Sequence, residues 1–141
     1  GERMRERLEA MRATYPMVGD VRGAGLLQGM EFVADRETRE PYGPDVKPGK
    51  RVERAARDRG LIMRTATEYV AFSPPLISTP ADVDEMCDIL DASLGDLCQW
   101  LIVGGVGRHE GLAACARHQF AVDQQIESFQ ACPDCHRPIL L

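Results

Sequence analysis

The sequence contains few lysines, few aromatic residues and no long apolar run. Lys47 and Lys50 are the only lysines among 17 basic residues, and aromatic residues make up 6% of the chain. The formal net charge is −5, which argues against nucleic acid as a partner. No apolar segment approaches the ~20 residues that span a bilayer, and the charged start of the chain has no apolar core typical of a signal peptide. The sequence therefore predicts neither a membrane nor a nucleic-acid partner.

The length and composition are ordinary for one globular domain. The chain has 141 residues, of which 44% are hydrophobic and 28% are charged. Five cysteines in an otherwise ordinary acidic chain fit a reducing compartment, so we expect a cytoplasmic protein. The chain begins with Gly1, inside a helical repeat and without a capping residue. From this start we expect a fragment of a longer protein.

The apolar periodicity predicts an α+β unit, in which helices flank a small sheet. The clearest helix start has Thr79 as the N-cap, Pro80 in the first turn and Asp82 at the capping-box position. The order predicted is helix, strand, helix, strand, strand, helix. The predicted helices are 4–15, 50–59 and 79–97, and the predicted strands are 26–33, 61–64 and 69–72. We predict a short extended segment at 18–21, a tight turn at 22–25 and an exposed loop over 35–49.

Three segments carry a family resemblance. They are VGDVRGAGLLQGMEFV at 18–33, RGLIMR at 59–64, and FSPPLI at 72–77 followed by the helix start TPADVDE at 79–85. Together they resemble the C-terminal domain of class III pyridoxal-phosphate-dependent aminotransferases, in the same order and with the same gaps. The resemblance covers residues 1–97. It implies the small C-terminal domain of a fold type I enzyme, which packs beside a large cofactor domain.

The position of Arg64 makes the resemblance closest to the omega-amino acid:pyruvate branch. In that branch an arginine at this place pairs with the substrate carboxylate and swings away for apolar amines. A guanidinium offers two parallel donors to a carboxylate and stays charged at any working pH. We expect Arg22 only to anchor its turn by bonding to carbonyls, and Met63 and Phe72 to belong to the core.

The resemblance also implies which groups this chain lacks. The family forms a Schiff base between a lysine and the cofactor, and the same lysine moves the proton. Lys47 and Lys50 lie in or beside the exposed loop, not in a buried pocket that would lower a lysine pKa. The family's lysine, the carboxylate on the pyridine nitrogen and most phosphate contacts lie in the upstream domain. We therefore expect no catalytic or cofactor-binding residue here, and no turnover by this polypeptide alone.

Residues 98–141 differ in character, so we place a boundary near 97. This segment holds four of the five cysteines and all three histidines, with a weak apolar pattern. We interpret 101–103 as a strand before a glycine turn, and 113–129 as a weak helix. Two pairs with a two-residue gap have the spacing of a tetrahedral zinc site, namely Cys115 with His118 and Cys132 with Cys135. A frameshifted gene end or an unrecognised helical extension would also account for this tail.

Three functions follow from these observations. The leading one is the C-terminal part of a transaminase that moves an amino group from an amine or omega-amino acid to an oxo acid such as pyruvate. The resemblance implies a homodimeric parent with pyridoxal phosphate in the upstream domain. A second is a class III relative that acts on acetylornithine or 4-aminobutyrate. A third is a non-catalytic, zinc-stabilised interaction module, which metal content and chelator sensitivity would reveal.

Overall fold

A computed structural model describes residues 1–104 and 139–140. Within that part the three predicted helices are present, two strands instead of one separate the first two helices, three instead of two separate the second and third, and the α+β class is confirmed. None of these helices is both long and apolar enough to cross a membrane. The elements are α1 Glu2–Thr14, β1 Val18–Ala24, β2 Leu27–Phe32, α2 Pro48–Asp58, β3 Leu61–Ile62, β4 Arg64–Thr65, β5 Tyr69–Phe72, α3 Pro80–Val103 and β6 Ile139–Leu140.

Four strands form an antiparallel sheet in the order β1-β2-β5-β4. Strands β1 and β2 make a hairpin in which Ala24 pairs with Leu27, so Gly25 and Leu26 form the turn. The turn predicted at 22–25 therefore starts three residues too early and ends one residue too early. The strand continues because Gly23 lies against β2, where a Cβ atom would come within 2.0 Å of the Leu27 carbonyl oxygen.

The predicted strand at 61–64 is two strands that have different partners. Residues 61–62 pair in parallel with β6, and 64–65 pair with β5 in the main sheet. Met63 lies between them and is buried, as expected. The interruption arises because the chain changes its pairing partner at this residue.

One face of the main sheet forms the core. Val21, Met30 and Val70 lie side by side on three strands and are buried. Phe72 is buried too, as predicted, and so is Cys87. This burial accounts for the alternation in β2 and β5, because successive residues of a strand point to opposite faces. The helices contribute the remaining core side chains, including Met4, Leu8, Met11, Val52, Ala56, Val83, Met86, Leu90 and Leu94.

The third helix begins as the sequence predicts. Thr79 and Asp82 form a reciprocal capping box, and Pro80 occupies the first turn. The helix then runs to Val103, so the strand predicted at 101–103 is wrong. The apolar face continues past residue 97, and Leu101 is 1% exposed. Burial of that face keeps the chain helical.

Charged contacts join α1 to α3. Arg3 donates two hydrogen bonds to Asp84, at 2.7 Å from Nε to Oδ1 and 2.6 Å from Nη2 to Oδ2. Arg7 pairs with Asp84 and with Asp88 one turn further along α3. The hydrogen bonds from Arg3 hold the pKa of the Asp84 carboxyl below its usual value. These pairs set the register of α1 along α3.

Candidate functional site

Arg64, the arginine that the sequence analysis assigned to the substrate carboxylate, lies on the face of the main sheet opposite the core. Arg22 pairs with Gly29, Gly29 with Ala71, and Ala71 with Arg64, so these residues form one row across four strands. Residues directly opposite each other in a sheet share a face. With strands about 4.8 Å apart, the backbones of the two end residues are separated by about 14 Å. An arginine therefore stands at each end of a row with two small residues in its middle.

A shallow cavity of about 320 Å³ lies on this outer face. Gly29 and Ala71 form its floor and add almost no side-chain bulk. Leu27 and Tyr69 border it, and they are 62% and 48% exposed. Exposed apolar side chains around a floor of small residues are typical of a surface that contacts another group.

Arg64 lies at the edge of the sheet, where β4 has β5 as its only strand neighbour in the described main sheet. Its side chain is exposed. It has no hydrogen-bond or ion-pair partner among residues 1–104 and 139–140. Its guanidinium donors are therefore available to an anion such as a carboxylate.

Arg22, at the other end of the row, is already paired. Its Nη2 atom lies 2.7 Å from an oxygen of Glu31, and its Nε atom lies 3.2 Å from an oxygen of Asp20. We expected this arginine to bond carbonyl groups of the turn, and that prediction is wrong. Its partners are carboxylates because β2 brings Glu31 onto the same face as β1. The two arginines thus differ in the charge that surrounds them.

The turn between β4 and β5 is held by the first turn of α2. The helix begins at Pro48, not at residue 50, and the Gly49 N–H donates to the Thr67 carbonyl oxygen at 2.9 Å. A Cβ atom on Gly49 would lie 2.3 Å from the Ala66 carbonyl oxygen and 2.7 Å from that of Tyr69. This contact could not be predicted from the sequence, because no local pattern shows that a helix start meets a turn 17 residues away.

The two lysines are exposed, as predicted. Lys47 is the left-handed residue that precedes α2, with φ of 46°. Lys50 lies on the first turn of α2, and its Nζ atom is 3.7 Å from a carboxylate oxygen of Glu53. Neither lies in a buried pocket. The chain's lysines therefore do not fit the part of a cofactor-bound lysine.

The proposed zinc ligands Cys115, His118, Cys132 and Cys135 lie outside the described residues, as does the helix predicted over 113–129. Within the described part, no group of three or more metal-ligating side chains comes together. Cys87 is a free thiol in the core, and burial raises its pKa to about 11. It therefore stays a neutral thiol at neutral pH.

A model of the aminotransferase class-III family matches residues 1–94. The chain belongs to the class-III aminotransferase family, so the resemblance drawn from the three segments is confirmed. It is 41% identical over 95 residues to an uncharacterised aminotransferase of Sinorhizobium fredii, a match that covers 66% of this chain and 20% of the relative. It is 39% identical over 98 residues to the taurine–pyruvate aminotransferase of Bilophila wadsworthia, covering 64% and 21%. The chain spans about a fifth of the length of these relatives.

Solved transaminase structures share the fold. The omega transaminase from Pseudomonas jessenii, in complex with PMP, superposes with a TM-score of 0.68 and 32% sequence identity. The match covers 77% of this chain and 23% of that one. This likeness confirms the prediction of a piece of a fold type I transaminase.

Proposed function

We propose that this chain forms the small C-terminal domain of a transaminase that moves an amino group from an amine or omega-amino acid to an oxo acid such as pyruvate. Its family membership supports the reaction class. The name of the Bilophila wadsworthia relative, which pairs an omega-amino sulfonate with pyruvate, supports this pair of substrate classes. In this proposal pyridoxal phosphate supplies the chemistry at the amino-bearing carbon, and residues outside this chain hold it.

The observation that carries the proposal is Arg64. It is an exposed arginine without a partner in the described part of the chain, and it lies on a strand whose neighbour is fixed by four backbone pairings to β2. A free guanidinium on a rigid edge gives a substrate carboxylate two parallel donors in a defined place. We propose that Arg64 binds the substrate's acidic group and sets its distance from the reacting amine.

The assembly and compartment are part of the same proposal. We propose a homodimeric enzyme in the cytoplasm, as the resemblance and the cysteine usage implied. Size-exclusion chromatography with light scattering on the complete enzyme tests the dimer. A mass of one subunit would contradict it.

The test of the function uses the complete coding sequence in which this chain lies. Arg64→Gln should raise KM by about ten- to a hundredfold for donors that carry an acidic group, because a charge-assisted pair is worth about 1.5–3 kcal/mol. Donors without an acidic group should keep their KM. Arg54→Gln is the matched control, because Arg54 is an exposed arginine on α2, away from the row.

Two results would contradict the proposal. One is an enzyme without transaminase activity on any amine donor with pyruvate or 2-oxoglutarate. The other is an Arg64→Gln enzyme whose KM rises equally for acidic and apolar donors. A donor panel that includes acetylornithine and 4-aminobutyrate also separates the proposed branch from the alternative relatives.

A further inference from the structure

The exposed side of α2 carries a row of basic side chains, which we call the basic stripe. Lys47, Lys50, Arg54 and Arg57 recur at i, i+3, i+7 and i+10, and all four are exposed. Side chains at this spacing lie on one side of a helix. The opposite side of α2, which includes Val52, is buried in the core. At 1.5 Å per residue the basic stripe is about 15 Å long.

The charge of this segment is opposite to that of the whole chain. Residues 47–57 contain five basic side chains and one carboxylate, a net charge of +4, whereas the 141 residues together carry −5. The carboxylate is that of Glu53, which lies 3.7 Å from Lys50 Nζ and also accepts a hydrogen bond from Arg57. The side chains of Lys47 and Arg54 have no partner among residues 1–104 and 139–140. The basic stripe is therefore incompletely neutralised by the described part of the chain.

A cleft of about 560 Å³ is lined by all four side chains of the basic stripe. Arg51 forms part of its wall, where the guanidinium stacks on the Trp100 ring, 3.5 Å from the ring centroid, and Nε donates to the Val46 carbonyl oxygen at 2.7 Å. Asp45 and Asp58 also line the cleft and flank the basic stripe in sequence. The surface thus presents cations along its length and carboxylates before the first of them and after the last.

Two classes of partner fit this surface poorly. A membrane-bound helix inserts an apolar face, but the apolar face of α2 is buried in the domain's own core. A nucleic acid presents a continuous row of phosphates, which would meet Asp45 and Asp58 and a chain of net negative charge. A short acidic helix avoids both problems, because its carboxylates can match a row of cations that is about 15 Å long.

We propose that the cleft along the basic stripe is a docking surface for an acidic helical segment of another protein, with carboxylates at i, i+3, i+7 and i+10. These carboxylates pair with the four cations of the basic stripe. Each exposed pair strengthens binding by about two- to fivefold, and added salt weakens it. The cleft lies on α2, apart from the sheet row that carries Arg64, so this inference is independent of the proposed function.

The first test couples the 141-residue chain to an acidic peptide with a carbodiimide, which joins a carboxylate to an amine in contact with it. The probe is a synthetic alanine-rich helix with blocked ends and glutamates at i, i+3, i+7 and i+10. A scrambled peptide, whose glutamates do not share one side of the helix, is its control. Lys47, Lys50 and the amino group of Gly1 are the only amines of the chain. We expect mass spectrometry to find the probe on the two lysines and not on Gly1.

The second test follows the fluorescence of Trp100, the sole tryptophan, whose ring is covered by a residue of the cleft wall. Titration with the probe should give a Kd about four- to twentyfold higher in Lys50→Gln/Arg54→Gln than in the unmodified chain, because two exposed pairs are lost. Arg39→Gln/Arg64→Gln is the matched control, since it removes the same charge from exposed arginines outside α2. Its Kd should stay within about twofold, and circular dichroism checks that both variants are folded.

Five results would overturn the inference. They are equal coupling to Gly1 and to the lysines, equal binding of the probe and the scrambled peptide, an equal rise in Kd in the two double variants, tighter binding of oligothymidylate than of the probe, and a salt-sensitive dimer in light scattering, which would make a second copy of the chain the occupant. None of these measurements requires transaminase activity, so their failure is distinguishable from a failure of the proposed function.

Discussion

Replacement of Gly49 by alanine is expected to destabilise the protein, although alanine is the better helix former. Gly49 lies in the first turn of α2 and packs against the turn that joins β4 to β5. An added Cβ would meet the carbonyl oxygens of Ala66 and Tyr69 at 2.3 and 2.7 Å. Both atoms belong to backbone, so neither moves aside by rotation of a side chain.

The expected magnitude is the difference of two terms. Overfilling a packed site costs about 3 kcal/mol when backbone must shift. Alanine in place of glycine in a helix recovers about 1 kcal/mol of that. The free energy of unfolding should therefore fall by about 2 kcal/mol, which lowers Tm by about 8 °C in a domain of this size.

Urea denaturation followed by circular dichroism measures this change, with the slope m checked for constancy. Gly43→Ala is the matched control, because a Cβ atom there meets nothing within 4 Å. Its stability should stay within about 0.5 kcal/mol of the unmodified chain. A Gly49→Ala protein as stable as the control would refute the claim that α2 holds the β4–β5 turn by close backbone contact.

Four further predictions concern other parts of the chain. Arg3 lowers the pKa of the Asp84 carboxyl, so the contribution of Asp84 to stability is present above its unfolded-state pKa and is lost as pH falls through its folded-state pKa. The free energy of unfolding from urea melts should therefore fall below about pH 4, and less steeply in Asp84→Asn; equal slopes in the two proteins would contradict this. Leu90 is fully buried, so Leu90→Ala should cost about 2–5 kcal/mol in urea melts, and a loss below about 1 kcal/mol would count against it. Burial raises the pKa of Cys87 to about 11, so this thiol should not react with a disulfide reagent at pH 8 until urea unfolds the chain. Mass spectrometry of the labelled peptide measures the reaction, and rapid labelling of the folded chain would contradict the burial of Cys87. The chain alone should give no stoichiometric absorbance band of lysine-bound pyridoxal phosphate, and a band lost on replacing both lysines would overturn that expectation.

Local sequence determined where α3 begins and which family the chain belongs to. The capping box at Thr79 and Asp82, with Pro80 between them, predicts the start of α3 correctly because capping involves only neighbouring residues. The apolar alternation of β5 is local in the same way, whereas the glycines of the β1–β2 hairpin indicate a turn but place it too early. The three segments that carry the resemblance also lie within short stretches of chain. Arg64 could be singled out from one of them.

Only the tertiary structure decided what surrounds Arg64. Its row to Arg22 joins residues 42 positions apart through two intermediate strands, and pairing register over that distance has no local signal. The close approach of Gly49 to the β4–β5 turn is equally invisible in the sequence, because glycine there resembles any glycine near a helix start. The end of α3 was misjudged for the same reason. Burial of Leu101 against distant residues, not local propensity, keeps that last segment helical.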